Sequence, residues 1–420
     1  MYDGTIGFTV DDSSSAIAEA SLDFQPVYPN IQQIGNEAIP REATRSYSFT
    51  GTTRSENFIQ DVVGLKGGKE YVAAARARDQ ASNESESQLS IPYVKEFENI
   101  SSQAKLEVSV HYGPFMNPDL WRWRSAQDKE ITNPLLGWYQ SGDTFVTSKH
   151  IDWLGGFGIS CLTIIWFGSS LFEPSIKQIL AHASLRDLRF FVWYDLTTHL
   201  QNTVGPKDYF GPWSADDPAV SKILSESLGF WIRNYFNHPS YLKINGACPV
   251  YYSAVSGLLG DVGSMMKQLR KTASEAGIDL FTISDSVHYV EPKLSKVVPF
   301  DAITQFANHS FVDPKINANV ETYMDGTYAS WSSLAKNNGV HFVPTVSPGY
   351  KNLYFNDWLV STRGIQGFKN RLEICKRYLD ADVRLLFVTT FNDWMENTHI
   401  EPSLEEGFQY LQAIKEFAAG

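Results

Sequence analysis

Short apolar runs that alternate with helical patterns occupy most of the chain after residue 105, and this alternation limits the folds open to it. Eight runs have the composition of buried strands. They lie at residues 106–112, 161–166, 189–194, 249–253, 280–284, 301–304, 341–346 and 385–390. Eight strands that alternate with helices over about 300 residues indicate a closed (β/α)8 barrel, the TIM barrel of the α/β class.

Helical patterns lie between these runs and after the last one. They cover residues 146–157, 174–183, 221–237, 263–276, 328–338, 364–379 and 404–417. A doubly wound open sheet is the alternative, but it usually carries a glycine-rich phosphate-binding turn after its first strand. Here the residues at that position are His111-Tyr-Gly-Pro-Phe115, which do not form a G-x-G-x-x-G pattern. We therefore predict a catalytic barrel over residues 105–420.

The first hundred residues have a different pattern. They contain no Trp and no Cys, and period-two runs at 5–10, 18–24, 45–49 and 69–79 are separated by turn-forming clusters. This pattern predicts an all-β sandwich domain over residues 1–100. Residues 63–85 resemble the late strands of a fibronectin type III domain. We expect the boundary between the two domains near residues 96–103.

Charge and motif content exclude several classes of protein. Lys and Arg number 35 against 47 Asp and Glu, a net charge of −12, whereas nucleic-acid binders neutralise phosphates with cations. The longest apolar run, residues 161–167, is far short of the ~20 residues of a membrane-spanning helix. The three cysteines form no C-x-x-C pair, and the nine histidines form no zinc motif. We expect no metal and no cofactor.

The residues at the ends of the predicted strands are rich in aromatic and acidic side chains and poor in cations. In a barrel these ends form the active-site mouth, and aromatic faces with short polar groups suit a neutral sugar. An aromatic residue at any one position could instead simply fill the core. The predicted substrate-binding residues are Tyr112, Trp166, Tyr194, Asp195, Tyr252, Tyr350, Asn392 and Trp394.

A pair of carboxylates follows the last strand. In Thr389-Thr-Phe-Asn-Asp-Trp-Met-Glu-Asn-Thr-His-Ile-Glu-Pro402, Asp393 and Glu396 are three residues apart. On a helical turn such side chains lie side by side, with Cβ atoms about 5–6 Å apart. Glycosidases place two carboxyl groups across one glycosidic bond, and a close pair raises the pKa of one member. We predict Asp393 and Glu396 as the catalytic pair; a solvated turn is the alternative.

Other polar residues leave two roles open. Asp195 and Asp285 could each accept a substrate hydroxyl or serve as structural acids. Glu401 is expected to tie down the loop that carries the pair, while His111 and His399 are expected to be hydrogen-bonded structural residues.

The carboxylate stretch resembles the Ser-Phe-Asn-Glu-Trp-x-Glu-Gly-Thr-x-Ile-Glu-Pro signature of glycoside hydrolase family 99, the endo-α-mannosidase family. Three further stretches resemble family motifs in the same order. They are Leu136-Gly-Trp-Tyr-Gln-Ser-Gly-Asp143 with residues 158–168, Asn237-His-Pro-Ser-Tyr241 with residues 242–252, and Ser347-Pro-Gly-Tyr350. The resemblance spans about residues 110–405 and implies a (β/α)8 barrel.

The resemblance also implies a mechanism. In the family, the first motif carboxylate acts on the sugar 2-hydroxyl, whose oxygen becomes the internal nucleophile, and the second protonates the leaving oxygen. Asp393 stands at the first position, where the family has Glu, and Glu396 stands at the second. The expected function is a retaining glycoside hydrolase that cleaves internal α-glycosidic, and first of all α-mannosidic, bonds.

Two other functions remain open at this point. One is a hydrolase of another α-linked polysaccharide, and the other is a non-catalytic carbohydrate-binding protein on a hydrolase barrel. The partner in each case is an oligosaccharide or polysaccharide. We expect a monomer at the cell surface or outside the cell. The start, Met1-Tyr-Asp-Gly4, has no secretory leader pattern, so any export signal is expected to lie outside this sequence.

Overall fold

A computed structural model of the chain describes most residues of the predicted barrel and several separate segments before it. The described residues are 2–11, 15–27, 33–34, 37–38, 45–50, 55–65, 69–100, 106–127, 132–168, 170, 172–182, 185, 188–205, 212–285, 292–310, 313–353 and 360–420.

The first hundred residues are built from β-strands wherever the structure describes regular elements. The strands are β1 (Tyr2–Asp11), β2 (Ile17–Val27), β3 (Gln33–Ile34), β4 (Glu37–Ala38), β5 (Arg45–Thr50), β6 (Ser55–Leu65), β7 (Lys69–Asp79) and β8 (Glu84–Val94). Antiparallel pairing joins β1 to β6, joins β3 to β4, and makes a four-stranded sheet in the order β5-β2-β7-β8. The stacking of these sheets into a sandwich, and the fibronectin resemblance, stay predictions.

A parallel sheet of nine segments forms the barrel. Its segments are β9 (Glu107–Tyr112), β10 (Cys161–Trp166), β11 (Arg189–Tyr194), β13 (Cys248–Tyr252), β15 (Leu280–Asp285), β16 (Ala302–Thr304), β17 (His341–Phe342), β18 (Thr345–Val346) and β21 (Leu385–Val388). Their order is β17-β16-β15-β13-β11-β10-β9-β21-β18. All eight predicted strands are therefore present. Two short ladders lie outside this sheet: β12 (Trp213–Ser214) pairs with β14 (Leu258–Leu259), and β19 (Tyr350–Lys351) pairs with β20 (Val360–Ser361).

The seventh strand closes the barrel because it is divided in two. Its first half, β17, pairs with β16, and its second half, β18, pairs with β21. Pro344 lies between the halves and has no N–H to donate, although its carbonyl accepts from the Phe387 N–H at 3.0 Å. One sequence run thus supplies both ends of the sheet, and the predicted single strand over residues 341–346 appears as two segments.

Helices pack around the sheet. They are α1 (Pro118–Gln127), α2 (Thr144–Gly156), α3 (Glu173–Ala181), α4 (Leu196–Thr203), α5 (Pro218–Asn234), α6 (Val262–Glu275), α7 (Leu294–Val297), α8 (Pro314–Ala318), α9 (Val320–Asn337), α10 (Ile365–Arg377) and α11 (Gln409–Ala419). The last helix starts five residues later than predicted, because Ser403 and Gly407 first form an antiparallel bridge. Within the described segments, no helix has both the length and the apolar composition to cross a bilayer.

The segment that leads into the barrel is packed against helix α2. The buried Asp152 carboxylate accepts the backbone N–H groups of Glu96 and Phe97 at 2.7 and 3.1 Å. The Phe97 ring contacts the rings of Phe157 and Phe408 edge-on, with centroids 5.0 and 5.6 Å apart. Residues 101–103 of the predicted boundary lie outside the described residues, and the division of the chain near residue 100 stays a prediction.

Replacing Gly156 with Ala tests this packing. A Cβ at Gly156 would lie 2.3 Å from the Phe97 Cβ, so the helix and the segment must separate. We expect Gly156→Ala to lower the free energy of unfolding by about 1–3 kcal/mol, the usual cost of overpacking. The matched control is Gly326→Ala in α9, where a Cβ meets nothing within 4 Å. That variant should gain about 0.5–1 kcal/mol from helix propensity. Equal stability of the two variants in urea titrations would contradict the packing.

Candidate active site

The loop after β21 carries the predicted catalytic pair and is bonded to the end of β9. The Phe391 N–H donates to the His111 carbonyl at 2.8 Å. The Asn392 amide makes two bonds to Gly113, accepting from its N–H at 2.8 Å and donating to its carbonyl at 2.9 Å. Asn392 is fully buried. It therefore holds two loops of the barrel mouth together, and the structure gives this side chain a structural contact rather than an open face for a sugar.

A buried carboxylate, Glu401, anchors the same loop from behind. Its Oε2 atom accepts from the Tyr139 hydroxyl and from the Trp394 indole, each at 2.7 Å. Its Oε1 atom lies 3.1 Å from the His150 Nε2. A buried carboxylate is stable only when its oxygens are hydrogen-bonded, and here both are. Glu401 thus ties the loop down as expected, and Trp394 is a buried member of this network.

Asp393 sits at the start of a turn rather than on a helix. Its Oδ1 atom accepts the N–H groups of Met395 and Glu396 at 2.9 and 3.0 Å, the geometry of an Asx turn. No hydrogen bond from the described residues reaches its Oδ2 atom. Burial raises the pKa of Asp393 to about 6, while the two N–H bonds and the Arg124 charge act in the opposite direction. One oxygen therefore shapes the loop and the other is available for chemistry.

Glu396 is held by two residues of a neighbouring loop. Its Oε1 atom accepts from the Asn352 amide at 3.0 Å and from the Tyr350 hydroxyl at 3.5 Å. Its Oε2 atom is buried and has no hydrogen-bond partner within the described part of the chain. Burial and the nearby Asp393 carboxylate raise the pKa of Glu396 well above its ordinary value. A protonated carboxyl group with an unused oxygen is the form that a general acid needs.

Backbone pairing places that neighbouring loop. The Lys351 N–H donates to the Glu396 carbonyl at 2.9 Å, and the Leu353 N–H donates to the Met395 carbonyl at 3.1 Å. The Tyr350 ring stacks on His309 with centroids 3.5 Å apart. Tyr350 thus lies beside Glu396, and its role in binding a substrate stays a prediction. Asn352 and His309 were missed, because neither stands at a strand end or in a motif.

The two other acids differ in their placement. Asp195 caps helix α4, accepting the Thr198 N–H at 3.0 Å and its hydroxyl at 2.7 Å. The Asp195 charge is also one of the causes that raise the pKa of Glu396, which brings Asp195 into the electrostatic surroundings of the pair. Asp285 ends β15, and burial raises its pKa to about 7. Asp195 therefore combines the structural role with proximity to the pair.

Four predicted sugar-binding aromatics, Tyr112, Trp166, Tyr194 and Tyr252, lie outside the barrel lumen. The Tyr112 hydroxyl is 2.9 Å from the His150 Nδ1 on α2. The other three rings pack on Trp231 of α5, with centroid distances of 5.3, 5.1 and 6.5 Å. The expectation that these four line one cleft is wrong. Side chains alternate between the two faces of a strand, and these four stand on the outer face.

On each of these strands, the residue that precedes the predicted aromatic residue in the sequence occupies the inner face of the barrel. His111 and Tyr251 belong to strands that are not neighbours in the sheet, yet their rings are 5.1 Å apart. This contact crosses the barrel interior. Trp193 is also next to His111, at 4.6 Å, and the His111 Nδ1 is 2.7 Å from the Thr389 hydroxyl. The period-two rule, applied from a strand whose inner face is known, would have selected these residues.

A cluster of possible metal ligands lies away from Asp393 and Glu396. In the described segments, the one cluster that could hold an ion is His341, Asp380 and Asp382. His341 begins β17, at the end of the barrel opposite the carboxylate loop, and its Nδ1 is 2.9 Å from the Asp380 carboxylate. The side-chain groups that bond to Glu396 are the Asn352 amide and the Tyr350 hydroxyl, and such groups suit a hydroxyl-rich ligand.

Comparison with known proteins places the barrel in a family. The sequence model of glycosyl hydrolase family 99 matches residues 108–414. Glycoprotein endo-alpha-1,2-mannosidase of Rattus norvegicus is 23% identical over 331 residues, which cover 71% of this chain and 63% of that protein. The enzyme of the same name from Mus musculus is 23% identical, covering 64% of this chain and 56% of its own. The chain thus spans about three-fifths of the length of these curated relatives.

A solved structure supports the fold. The GH99 endo-alpha-mannosidase from Bacteroides thetaiotaomicron in complex with bis-tris-propane superposes with a TM-score of 0.56 at 18% identity. The match covers 74% of this chain and 95% of that one. The strand order, the closure at the divided seventh strand and the family model agree on one barrel. The chain belongs to glycosyl hydrolase family 99.

Proposed function

We propose that the protein is a retaining glycoside hydrolase that cleaves internal α-mannosidic bonds of a glycan. Family membership supports the glycosidase class, and the names of the rat and mouse relatives support the α-mannoside. The observation that carries the proposal is the pairing of Glu396, whose pKa is raised, with Asp393 on one loop at the barrel mouth.

Glu396 is the general acid in this proposal. Its Oε1 atom is held by Asn352 and Tyr350, which leaves Oε2 to carry the proton toward the glycosidic oxygen. The Asp393 charge disfavours a second ionised carboxylate beside it. Glu396 therefore keeps its proton at a pH where an ordinary Glu has lost it.

Asp393 is the base. The resemblance to the family assigns this position to the sugar 2-hydroxyl, which becomes the internal nucleophile. The side chain is one methylene shorter than the Glu of the family, but its Oδ1 bonds to Met395 and Glu396 fix its direction. A carboxylate held this way loses little freedom when it meets its substrate. Of the predicted binding residues, we retain Tyr350 and Asp195 for contacts with the sugar or for shaping the site.

The domain roles and the location complete the proposal. Residues 105–420 form the catalytic unit, and residues 1–100 form a β-sandwich module beside it. A polymeric substrate and such a module fit a monomeric enzyme at the cell surface or outside the cell.

Release of oligosaccharides tests the function. We expect incubation with α-mannan to release short products, while α-glucan and α-galactan remain intact. The anomeric configuration of the first product, read by NMR, should match that of the substrate. Release from α-glucan or α-galactan alone would establish another polysaccharide as substrate. Binding of any of the three without release would establish a carbohydrate-binding protein instead of an enzyme.

Glu396→Gln is the first test of the pair. Gln keeps the shape of the side chain and cannot donate the proton, so hydrolysis of α-mannan should fall by about 10²–10⁴-fold, the usual contribution of a general acid. Substrates with a good aryl leaving group should recover much of this loss because they need no acid. The control is Glu373→Gln on the exposed face of α10, which should retain full activity. Unchanged hydrolysis by Glu396→Gln would show that the acid is another residue.

Substitutions of Asp393 separate the base from the acid. Asp393→Asn should be inactive on natural and activated substrates alike, because the nucleophile must be activated whatever group leaves. Asp393→Glu should also lose activity, by about 10²-fold for a displacement of ~1 Å, since the longer side chain cannot close the same Asx turn. An increase in kcat for Asp393→Glu would mean that the turn does not set the position of the base.

The activity should depend on pH through both carboxyl groups. Asp393 must be ionised, so the rate should fall as the pH drops below about 6. Glu396 must be protonated, so the rate should fall again as the pH rises through its raised pKa. With an activated aryl substrate, Glu396→Gln should keep the acidic limb and lose the basic one. A basic limb that persists in this variant would belong to some other group.

A further inference from the structure

A short hairpin before β13 places a lysine directly opposite a cysteine. The Ile244 and Ala247 backbones exchange both N–H···O bonds, at 3.0 and 2.9 Å. Between them, Asn245 and Gly246 have φ of 50° and 86°, as in a type I′ turn. The next pair outward is Lys243 and Cys248. In such a non-hydrogen-bonded pair the Cα atoms are about 4.5 Å apart and the side chains share a face.

The two side chains meet at their reactive atoms. The Lys243 Nζ is 2.7 Å from the Cys248 Sγ. N–H···O bonds have a usual length of about 2.9–3.0 Å, and sulfur is larger than oxygen. The contact is therefore shorter than a nitrogen–sulfur hydrogen bond requires. A nitrogen atom and a sulfur atom that are both bonded to one oxygen atom lie at such a distance without strain.

Further contacts hold the lysine in place. The Nζ atom also donates to the Phe236 carbonyl at 3.2 Å, which fixes the amine over the sulfur. The lysine is exposed to solvent and Cys248 is buried, so a small oxidant can reach the amine side of the pair. The position is the first residue of β13, at the end of the barrel opposite Asp393 and Glu396.

The other two cysteines provide an internal comparison. Cys161 and Cys375 are also free and buried. Their sulfurs lie 3.8 and 3.5 Å from the carbonyl oxygens of Leu162 and Thr345, which are ordinary contacts with atoms that cannot be oxidised. Among the described residues, the pair at the hairpin is thus the one in which a thiol and an amine are in direct contact.

We propose that Lys243 and Cys248 form a covalent N–O–S bridge when the protein meets molecular oxygen. The Lys243 ammonium gives one proton to the solvent. The amine and the thiol then each lose one hydrogen, one oxygen atom is bonded between nitrogen and sulfur, and the second oxygen atom leaves as water with two hydrogens. The nitrogen and the sulfur are oxidised by four electrons in total, and dioxygen is reduced by four. Two equivalents of a dithiol reverse the step and release the bridging oxygen as water.

The bridge closes a six-residue loop and removes one positive charge from the surface. Because it lies away from the carboxylate loop, it marks the oxidation state of the chain without entering the catalytic chemistry.

Mass spectrometry and thiol counting test the bridge on the full chain. Protein purified in air should carry one added oxygen atom and lack two hydrogen atoms. After unfolding without reductant, two of its three cysteines should be alkylated by iodoacetamide, and trypsin should not cut after Lys243. Dithiothreitol should restore the unmodified mass and all three thiols. Protein prepared without oxygen should show three thiols from the start.

Lys243→Arg is the matched control. It keeps the charge and length of the side chain but offers no primary amine, so three thiols and no mass gain are expected in air. Three alkylated cysteines in aerated wild-type protein would overturn the proposal. It would be overturned equally by the loss of one alkylatable cysteine in aerated Lys243→Arg, since that result would mean that the thiol is oxidised without the amine. Cys248→Ser should show two thiols under every condition and cleavage after Lys243.

Discussion

Closure of the sheet at the divided seventh strand is the constraint on which the site depends. Because β18 pairs with β21, the segment that follows β18 emerges beside the segment that follows β21. Lys351 and Leu353 then pair with the backbone of Glu396 and Met395, and the Tyr350 and Asn352 side chains reach the Glu396 carboxyl group. An open sheet would leave these two loops at opposite edges, and Glu396 would have no fixed orientation.

The electrostatics of the site follow from the same enclosure. Burial disfavours the charged form of both carboxyl groups, and the groups around each one shift its pKa further. Backbone N–H groups and Arg124 favour the charge on Asp393, whereas the Asp393 charge opposes ionisation of Glu396. The two environments push the groups toward different roles, one ionised and one protonated. This division of roles is what acid–base cleavage of a glycosidic bond requires.

Buried polar groups hold the loop that carries Asp393 and Glu396 in its shape. Glu401 joins Tyr139, Trp394 and His150, and Asn392 joins the loop to Gly113. Each of these groups is buried and bonded, so removing one partner leaves another without a hydrogen bond. Several residues of the motif therefore serve the position of Asp393 and Glu396 rather than the substrate. The residues around Asp393 and Glu396 in this motif therefore serve mainly as a scaffold for those two side chains.

The sequence alone determined the barrel and its eight strands, because buried strands and helices leave strong periodic patterns. It also placed Asp393 and Glu396 together in a distinctive stretch at the last strand end, and their catalytic role stays a prediction. It also indicated that Glu401 ties the loop down. It did not determine which face of each strand looks inward. A shift of one residue exchanged Tyr112, Trp166, Tyr194 and Tyr252 for His111, Trp193 and Tyr251 as inner residues, and only the contacts across the barrel decide that register. The partners of Glu396 were likewise hidden, since Asn352 and Tyr350 come from a loop that only barrel closure brings beside it.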